Sequence, residues 1–386
     1  MIEKLIREHE AFRSCTLNLV PSENIVSDAV KKALASDLAS RYAARPEFYG
    51  GTKYIQRIWS RTEELACRVF EAEHAIVTPI SGHLADVIVV GSLCRRGDSV
   101  CAVPIDSGGY PGLAREGSII DLMNLKPMYL PFSEEDFNVD VDKSISLIEK
   151  WKPTLLMLGA SLILFPQPVK ALANSVHEYG GHVVYDGSHV LGLIAGREFQ
   201  DPLREGADFL LGSTHKTFFG PMGGLIVSNR EDLMKKINQG ISHRFLDNPH
   251  FNRIAALGVA LEETRKHGER YAKQVISNAK ALASALDKLG QPVKRTRRGF
   301  TMSHQVYLDF GGYKRGTQVR DRLEKAGIIV DSGVRLGTNE VTRRGMRERE
   351  MRTIAELMVE ALTRQPYLVV QRVKKVLRAY RKTEFC

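Results

Sequence analysis

Cysteine is scarce here and has no pairing pattern. The five thiols, Cys15, Cys67, Cys94, Cys101 and Cys386, are odd in number and show neither a CxxC nor any metal-ligand spacing. That excludes a disulfide scaffold and leaves no metal expected; it reads as free thiols in a reducing cytoplasm. Long apolar runs are missing too: the longest, residues 154–165, falls far short of the roughly 20 residues that cross a bilayer. It is expected to be a buried strand or strand pair, and no membrane partner is expected. No signal peptide is expected, since the opening MIEKLIREHEAFRS is charged and amphipathic. With only 2 Trp, no low-complexity tract and no internal repeat, collagenous, disordered and repeat architectures are out. What is there, 43% hydrophobic and 26% charged residues, is the composition of an ordinary soluble globular chain.

Acidic residues run short in one region only. Residues 291–386 carry 22 Lys+Arg against 10 Asp+Glu, whereas residues 1–290 carry 33 against 35. The overall net charge of +10 therefore belongs to the C-terminal quarter. A basic block can be the footprint of a nucleic acid or an anionic ligand, but it is more often a solvated helix face. A length of 386 residues points to two domains, or to one large domain with an appendage.

Residues 1–14 have the spacing of an amphipathic helix without a core of its own, and a loop-rich stretch follows to about residue 54. Residues 56–72 then have helical spacing. Beyond them, short apolar runs alternate with amphipathic stretches: strands are expected at 75–78, 99–103, 127–130, 154–158, 182–185, 209–211 and 225–227, with helices such as 84–94 and 169–179 between them. Buried strands alternating with helices indicate an α/β fold, a mainly parallel sheet covered on both faces. A long helix is expected over 250–289. After it come fewer, shorter strands (305–310, 328–330) between helices at 317–325 and 348–362, the pattern of a smaller α+β domain. The expected division is an arm over 1–20, a large domain over 21–250 and a small domain over 251–386.

Four segments carry chemistry. Lys216 lies just after a strand in Ser213-Thr214-His215-Lys216-Thr217, followed by Gly220-Pro221-Met222-Gly223-Gly224. A lysine packed there can be desolvated and made nucleophilic. Upstream, Asp186 and His189 stand at the end of another strand. An aspartate at such a place can pair with the pyridinium nitrogen of pyridoxal phosphate, the partner that cofactor needs as an electron sink; His189 can reach the ring's O3′. Ser81, Gly82 and His83 form a strand-to-helix turn suited to a phosphate. In Asp106-Ser107-Gly108-Gly109-Tyr110, the glycines bring the backbone close and leave Tyr110 to stack on a flat ring.

These residues resemble the serine hydroxymethyltransferase family, pyridoxal-phosphate enzymes of fold type I. The resemblance runs from about Leu17 to Ala361. Its most specific pieces are Pro21-Ser22-Glu23-Asn24, Tyr49-Gly50-Gly51, Asp186 with His189, Thr214-His215-Lys216-Thr217 and Ser332-Gly333-Val334-Arg335. It implies an aminotransferase-like large domain with a seven-stranded sheet, and a smaller α+β domain. Lys216 would carry pyridoxal phosphate covalently, with His215 beside it, and Asp186 would hold the ring nitrogen protonated. His189 and Ser161 would support O3′, Tyr110 would stack on the ring where the family has histidine, and Ser81, Gly82 and His83 would hold the phosphate. Arg335 would clamp the substrate carboxylate in a bidentate pair, with Ser22 beside it. Tyr49 would help exchange Lys216 for the substrate amine, and Tyr42 would touch the phosphate. In the family both tyrosines come from a neighbouring subunit, so a homodimer is implied. The substrate would be a small amino acid, and no nucleic acid is expected.

Three departures stand against the family pattern. Where the family has a proton-handling glutamate two residues after the tyrosine matched by Tyr42, this chain has Ala44, in a segment about three residues shorter; Glu47 is nearby. The extended loop that helps to bind the pterin of tetrahydrofolate is missing ahead of Ser332-Gly333-Val334-Arg335. The Gly-Gly pair that reaches the partner's phosphate is Asp247-Asn248, which leaves His250 or Asn252 to remake that contact. The first two losses fall on the folate half of the reaction. The expected activity is reversible retro-aldol cleavage that interconverts a β-hydroxy-α-amino acid and glycine. A folate-independent aldolase or transaldolase and a non-catalytic member with a basic RNA- or protein-binding C-terminal domain stand as alternatives; an aminotransferase or racemase fits the motifs less well.

Overall fold

The computed structural model describes residues 1–113 and 116–386, which fall into two compact units, Val26–Glu269 and a second made of Met1–Ile25 with Arg270–Cys386. The boundary lies inside one helix, Phe251–Lys288, 38 residues long, and not ahead of it at residue 250. Residues 1–20 group with the C-terminal part.

The Val26–Glu269 unit is built on a seven-stranded sheet. In chain order its strands are β1 (His74–Ile76), β2 (Ser99–Ala102), β3 (Lys126–Tyr129), β4 (Leu155–Leu158), β5 (His182–Asp186), β6 (Phe209–Ser213) and β7 (Gly224–Ser228). In space they run β1-β7-β6-β5-β4-β2-β3. All are parallel except β7, which is antiparallel to both β6 and β1. Every residue of β4, β6 and β7 is buried, so these strands read as continuous apolar runs with no polar alternation. Helix Gly82–Leu93 packs on β6 and β7, burying Ala85, Ile88, Val89 and Val90. Each of the Ile and Val side chains contributes roughly 1.5–3 kcal/mol.

The apolar run 154–165 yields one strand, not two. Gly159 ends it with φ +102°, and a Cβ there would lie 2.1 Å from the carbonyl oxygen of Asp186. Ile163, Leu164 and Phe165 are still buried, as core-facing loop. The chain turns because β5 passes too close for it to continue.

In the second unit, strand Leu17–Asn18 pairs in parallel with Ile328–Ile329, and Gln305–Tyr307 pairs antiparallel with Arg335–Gly337. Helices Tyr313–Lys325 and Glu348–Thr363 enclose a core that includes Leu17, Leu19, Leu323, Ile328, Leu336 and Ile354. The basic helix Tyr367–Arg378 buries Val369, Val373 and Leu377 against this core. Its cationic residues are the solvated face of an amphipathic helix. Arg343 is fully buried and donates through Nη1 to the carbonyls of Glu384, at 2.7 Å, and Phe385. Helix Ile2–Ser14 buries none of its residues, leaving Ile2 64% and Leu5 55% exposed. Among the described residues no helix is long and apolar enough to cross a membrane.

Candidate active site

In open α/β sheets ligands collect outside the carboxyl ends of the strands, and here a cavity lies there. It is lined by His83, Asp86, Tyr110, Ala160, Ser161, Asp186, Ser188, His189, Ser213 and Lys216. Six of the residues singled out from the sequence therefore share one wall: His83, Tyr110, Ser161, Asp186, His189 and Lys216.

Local hydrogen bonding fixes the turn that carries Asp186 and the loop that carries Lys216. Asp186 is the last residue of β5, and its Oδ1 accepts from the backbone N–H of Ser188 at 2.8 Å, closing a tight turn. Gly187 continues the ladder by donating to the carbonyl of Leu211 at 2.8 Å, so Ser188 and His189 begin at the sheet edge of the cavity. Lys216 sits on a loop tied at several points. Thr214 N donates to Gly223 O at 3.0 Å, Gly220 N to Thr214 O at 2.8 Å, and Thr214 Oγ1 to Pro221 O at 2.7 Å. Thr217 Oγ1 donates to the His189 carbonyl at 2.7 Å, tying the lysine loop to the aspartate turn. These ties are why Gly-Pro-x-Gly-Gly follows the lysine: the chain must double back into β7 within a few residues.

Ser81 is the N-cap of helix Gly82–Leu93, accepting from Leu84 N at 3.0 Å. Gly82 is obligatory on steric grounds. A Cβ there would lie 2.3 Å from Ser213 Oγ and 2.9 Å from both Ser188 Oγ and Ser213 N. The sequence does not single out Ser188 and Ser213, yet they close the cradle with an Oγ–Oγ contact of 3.2 Å and a bond of 2.9 Å from Ser213 N to Ser188 Oγ. Their signal was only their adjacency to the two motifs. The His83 side chain does not stay at the helix start: its Nδ1 meets the Tyr110 hydroxyl at 2.8 Å, the rings edge to face at 6.0 Å.

The cavity's electrostatics are uneven. Lys216 is the single cationic Lys or Arg among the residues that line it, against two carboxylates, Asp186 and Asp86. Burial pushes the Asp86 carboxyl well above the usual carboxylate range, with Asp186 adding to the rise and Lys216 opposing it. The Tyr110 phenol is pushed up to about 12 by burial, then by Asp86 and Asp186. His215 is driven down to about 4 by burial and by Lys216, and its Nδ1 is buried with no hydrogen-bond partner. Asp86 was missed in the sequence because a lone acid inside a helix, one turn from its start, belongs to no motif.

Tyr42 and Tyr49 are not among the residues that line this cavity. They lie on the same unit, 40% and 39% exposed, with ring centroids 4.9 Å apart. Ala44 offers its carbonyl to Gln56 Nε2 at 2.9 Å, while Glu47 accepts from the Thr52 hydroxyl. Asn248, His250 and Asn252 line a separate hollow with Leu38 and Arg41, and Asn252 is tied to Leu34 O at 2.8 Å. Ser22 and Arg335 belong to the other unit. There Arg335 bonds Asp331 through Nε and Nη2, both at 2.9 Å.

A lysine and an aspartate at the ends of neighbouring strands, facing a helix start where no Cβ fits, are the parts of a pyridoxal-phosphate site. The sheet that carries them is that of the fold-type I enzymes. The chain belongs to the serine hydroxymethyltransferase family: the family's profile, described as serine hydroxymethyltransferase, matches residues 1–358. The serine hydroxymethyltransferase of Archaeoglobus fulgidus is 43% identical over 377 residues, covering 93% of this chain and 86% of that protein. That of Methanopyrus kandleri is 40% identical over 405 residues, covering 100% and 94%. Among solved structures, L-threonine transaldolase from Pseudomonas fluorescens, in its internal aldimine state, superposes with a TM-score of 0.92 at 26% identity, covering 98% of this chain and 91% of that one.

Proposed function

We propose that the protein is a cytoplasmic, homodimeric enzyme that reversibly cleaves the Cα–Cβ bond of a β-hydroxy-α-amino acid, serine or an analogue, to give glycine. The observation that carries this reading is the single cavity holding Lys216, Asp186, His189, Ser161 and Tyr110. Pyridoxal phosphate, when bound, supplies an electron sink for the charge left at Cα. Lys216 is the residue that would hold the cofactor covalently. The Asp186 carboxylate, one oxygen of which is held by Ser188 N–H, would pair with the ring nitrogen and keep its proton in place. The turn at Ser81 and Gly82 offers backbone N–H groups and a helix N-terminus to the phosphate. Tyr110 would cover the ring face, its tilt set by the hydrogen bond with His83. His189 and Ser161 would take the O3′ side. Arg335, with Ser22, takes the substrate carboxylate in the family's pattern, and a guanidinium fork does this better than an ammonium. Tyr42 and Tyr49 serve the site of a second copy. Their exposure supports this role, as does the groove between helices Lys53–Phe70 and Phe251–Lys288 lined by Tyr54, Arg57, Leu65, Gly258 and Glu262.

A folate-independent transaldolase is the second reading. It is favoured by Ala44 at the glutamate position and by a nearest carboxylate, Glu47, that is exposed and engaged with Thr52. The likeness to L-threonine transaldolase points the same way. One panel separates the two: glycine formation from serine, threonine, allo-threonine and α-methylserine, each with and without tetrahydrofolate. Acceleration of serine cleavage by tetrahydrofolate is expected for the first reading. A rate that folate leaves unchanged, with an added aldehyde taken up instead, selects the second. No glycine from any of the four would sink both.

A further inference from the structure

We propose that Asp86 is carried as a neutral carboxylic acid that donates its proton to the Asp186 carboxylate, which makes Asp86 a positioning residue for the partner of the ring nitrogen. The proposal rests on the reading of Asp186 as that partner and extends it by one residue.

Asp86 lies one turn into helix Gly82–Leu93 and lines the same cavity as Asp186 and Lys216. It is 1% exposed, and its Oδ1 has no hydrogen-bond partner. An ionised carboxylate with one oxygen so placed would leave that oxygen buried without a donor, a cost that proteins avoid by leaving the group protonated. Lys216 is the one Lys or Arg on the cavity wall, and two anions there would compete for it. The other titratable groups facing the space are His83, Tyr110 and His189, with His215 beside Lys216. The physical drive is burial first and the Asp186 charge second, both raising the Asp86 carboxyl, against the smaller pull of Lys216.

The protonated form also has work that the ionised form cannot do. One oxygen of Asp186 is already held by Ser188 N–H at 2.8 Å. A second donor would stop the carboxylate from turning about its Cβ–Cγ bond. The pair would then present a single negative charge to the ring nitrogen, with its proton kept on Asp86. An acid in this place is an amide-like donor that can still lose its proton in alkali.

The test uses the full-length, cofactor-loaded protein with ¹³C-labelled aspartate and infrared difference spectroscopy. A protonated-carboxyl C=O band is expected at neutral pH that disappears in Asp86→Asn. A wild-type spectrum identical to that of the variant in this region would overturn the proposal. A functional arm adds cofactor retention: Asp86→Asn, which keeps an N–H donor, should hold pyridoxal phosphate as well as wild type, and Asp86→Leu about tenfold less tightly. Equal losses in the two variants would mean that Asp86 only fills space, and would also overturn it. Should the wild type take up no pyridoxal phosphate at all, the functional reading fails, while the infrared band still decides the state of Asp86 in the cofactor-free protein.

Discussion

Two stretches of the Val26–Glu269 unit hold the residues that the family pattern assigns to the cofactor, and they are built in opposite ways. In the cavity, Asp186, Lys216 and the Ser81–Gly82 turn hang on buried strand ends and are tied by backbone hydrogen bonds of 2.7–3.0 Å. Around residues 42–54, Tyr42, Phe48, Tyr49 and Tyr54 are 40, 82, 39 and 66% exposed. Tyr49 meets Tyr42 and Phe48 edge to face at 4.9 and 5.0 Å. The first stretch is complete within one chain. The second leaves a band of aromatic surface in water, the kind of surface that a stable monomer rarely keeps and that interfaces use. On the proposed reading, then, one half of the site is preorganised by its own ladder and the other half waits for a second copy.

The largest effect that would sharpen this contrast comes from Lys216→Ala and Tyr49→Phe. The first should lower turnover by at least about 10³-fold and the second by roughly 10²-fold. If the sites are shared, refolding an equal mixture should restore about a quarter of wild-type activity, because half the dimers are mixed and each has one intact site. Activity no greater than the average of the separate variants would break the contrast. Next comes a pair of glycines. Gly82→Ala places a methyl 2.3 Å from Ser213 Oγ and should cost about 1–3 kcal/mol in thermal or urea unfolding, and lose cofactor with it. Gly50→Ala has nothing within 4 Å and should change stability by less than about 0.5 kcal/mol. Comparable costs would show that the cavity is no tighter than the loop. The last effect, spread over a pH range, is acid sensitivity. The His215 imidazole is held down to about 4 in the folded chain, so folding favours its neutral form. Its contribution is whole above the unfolded value of about 6.5 and is lost as pH falls toward 4, roughly 1–3 kcal/mol in all. Urea midpoints of His215→Asn should lack that step, whereas those of Tyr49→Phe should keep it.

The sheet was legible because β4, β6 and β7 are buried on both faces, so composition alone marks them. All seven expected strands fall on strands of the sheet. Strand Arg335–Gly337 was not legible: its residues read as part of a Ser-Gly-x-Arg motif, and its pairing with Gln305–Tyr307 is a tertiary choice. Nor was the end of the run at Gly159, which depends on how near Asp186 passes. Of the cavity, the lysine and aspartate motifs could be read from spacing. Asp86 could not, because its meaning comes from a second carboxylate 100 residues away in sequence.

One pairing in the smaller unit bears on the order in which the molecule is made. Leu17–Asn18 finds its ladder partner only at Ile328–Ile329, whereas Val26–Glu269 is one unbroken stretch. A ribosome working from the N-terminus has therefore finished the sheet and its cavity well before the strand that receives Leu17 exists. Contacts this distant in sequence close slowly, and domains tend to fold as units as they emerge. The nascent chain can thus build its cofactor pocket early, with its own first residues still waiting for a partner.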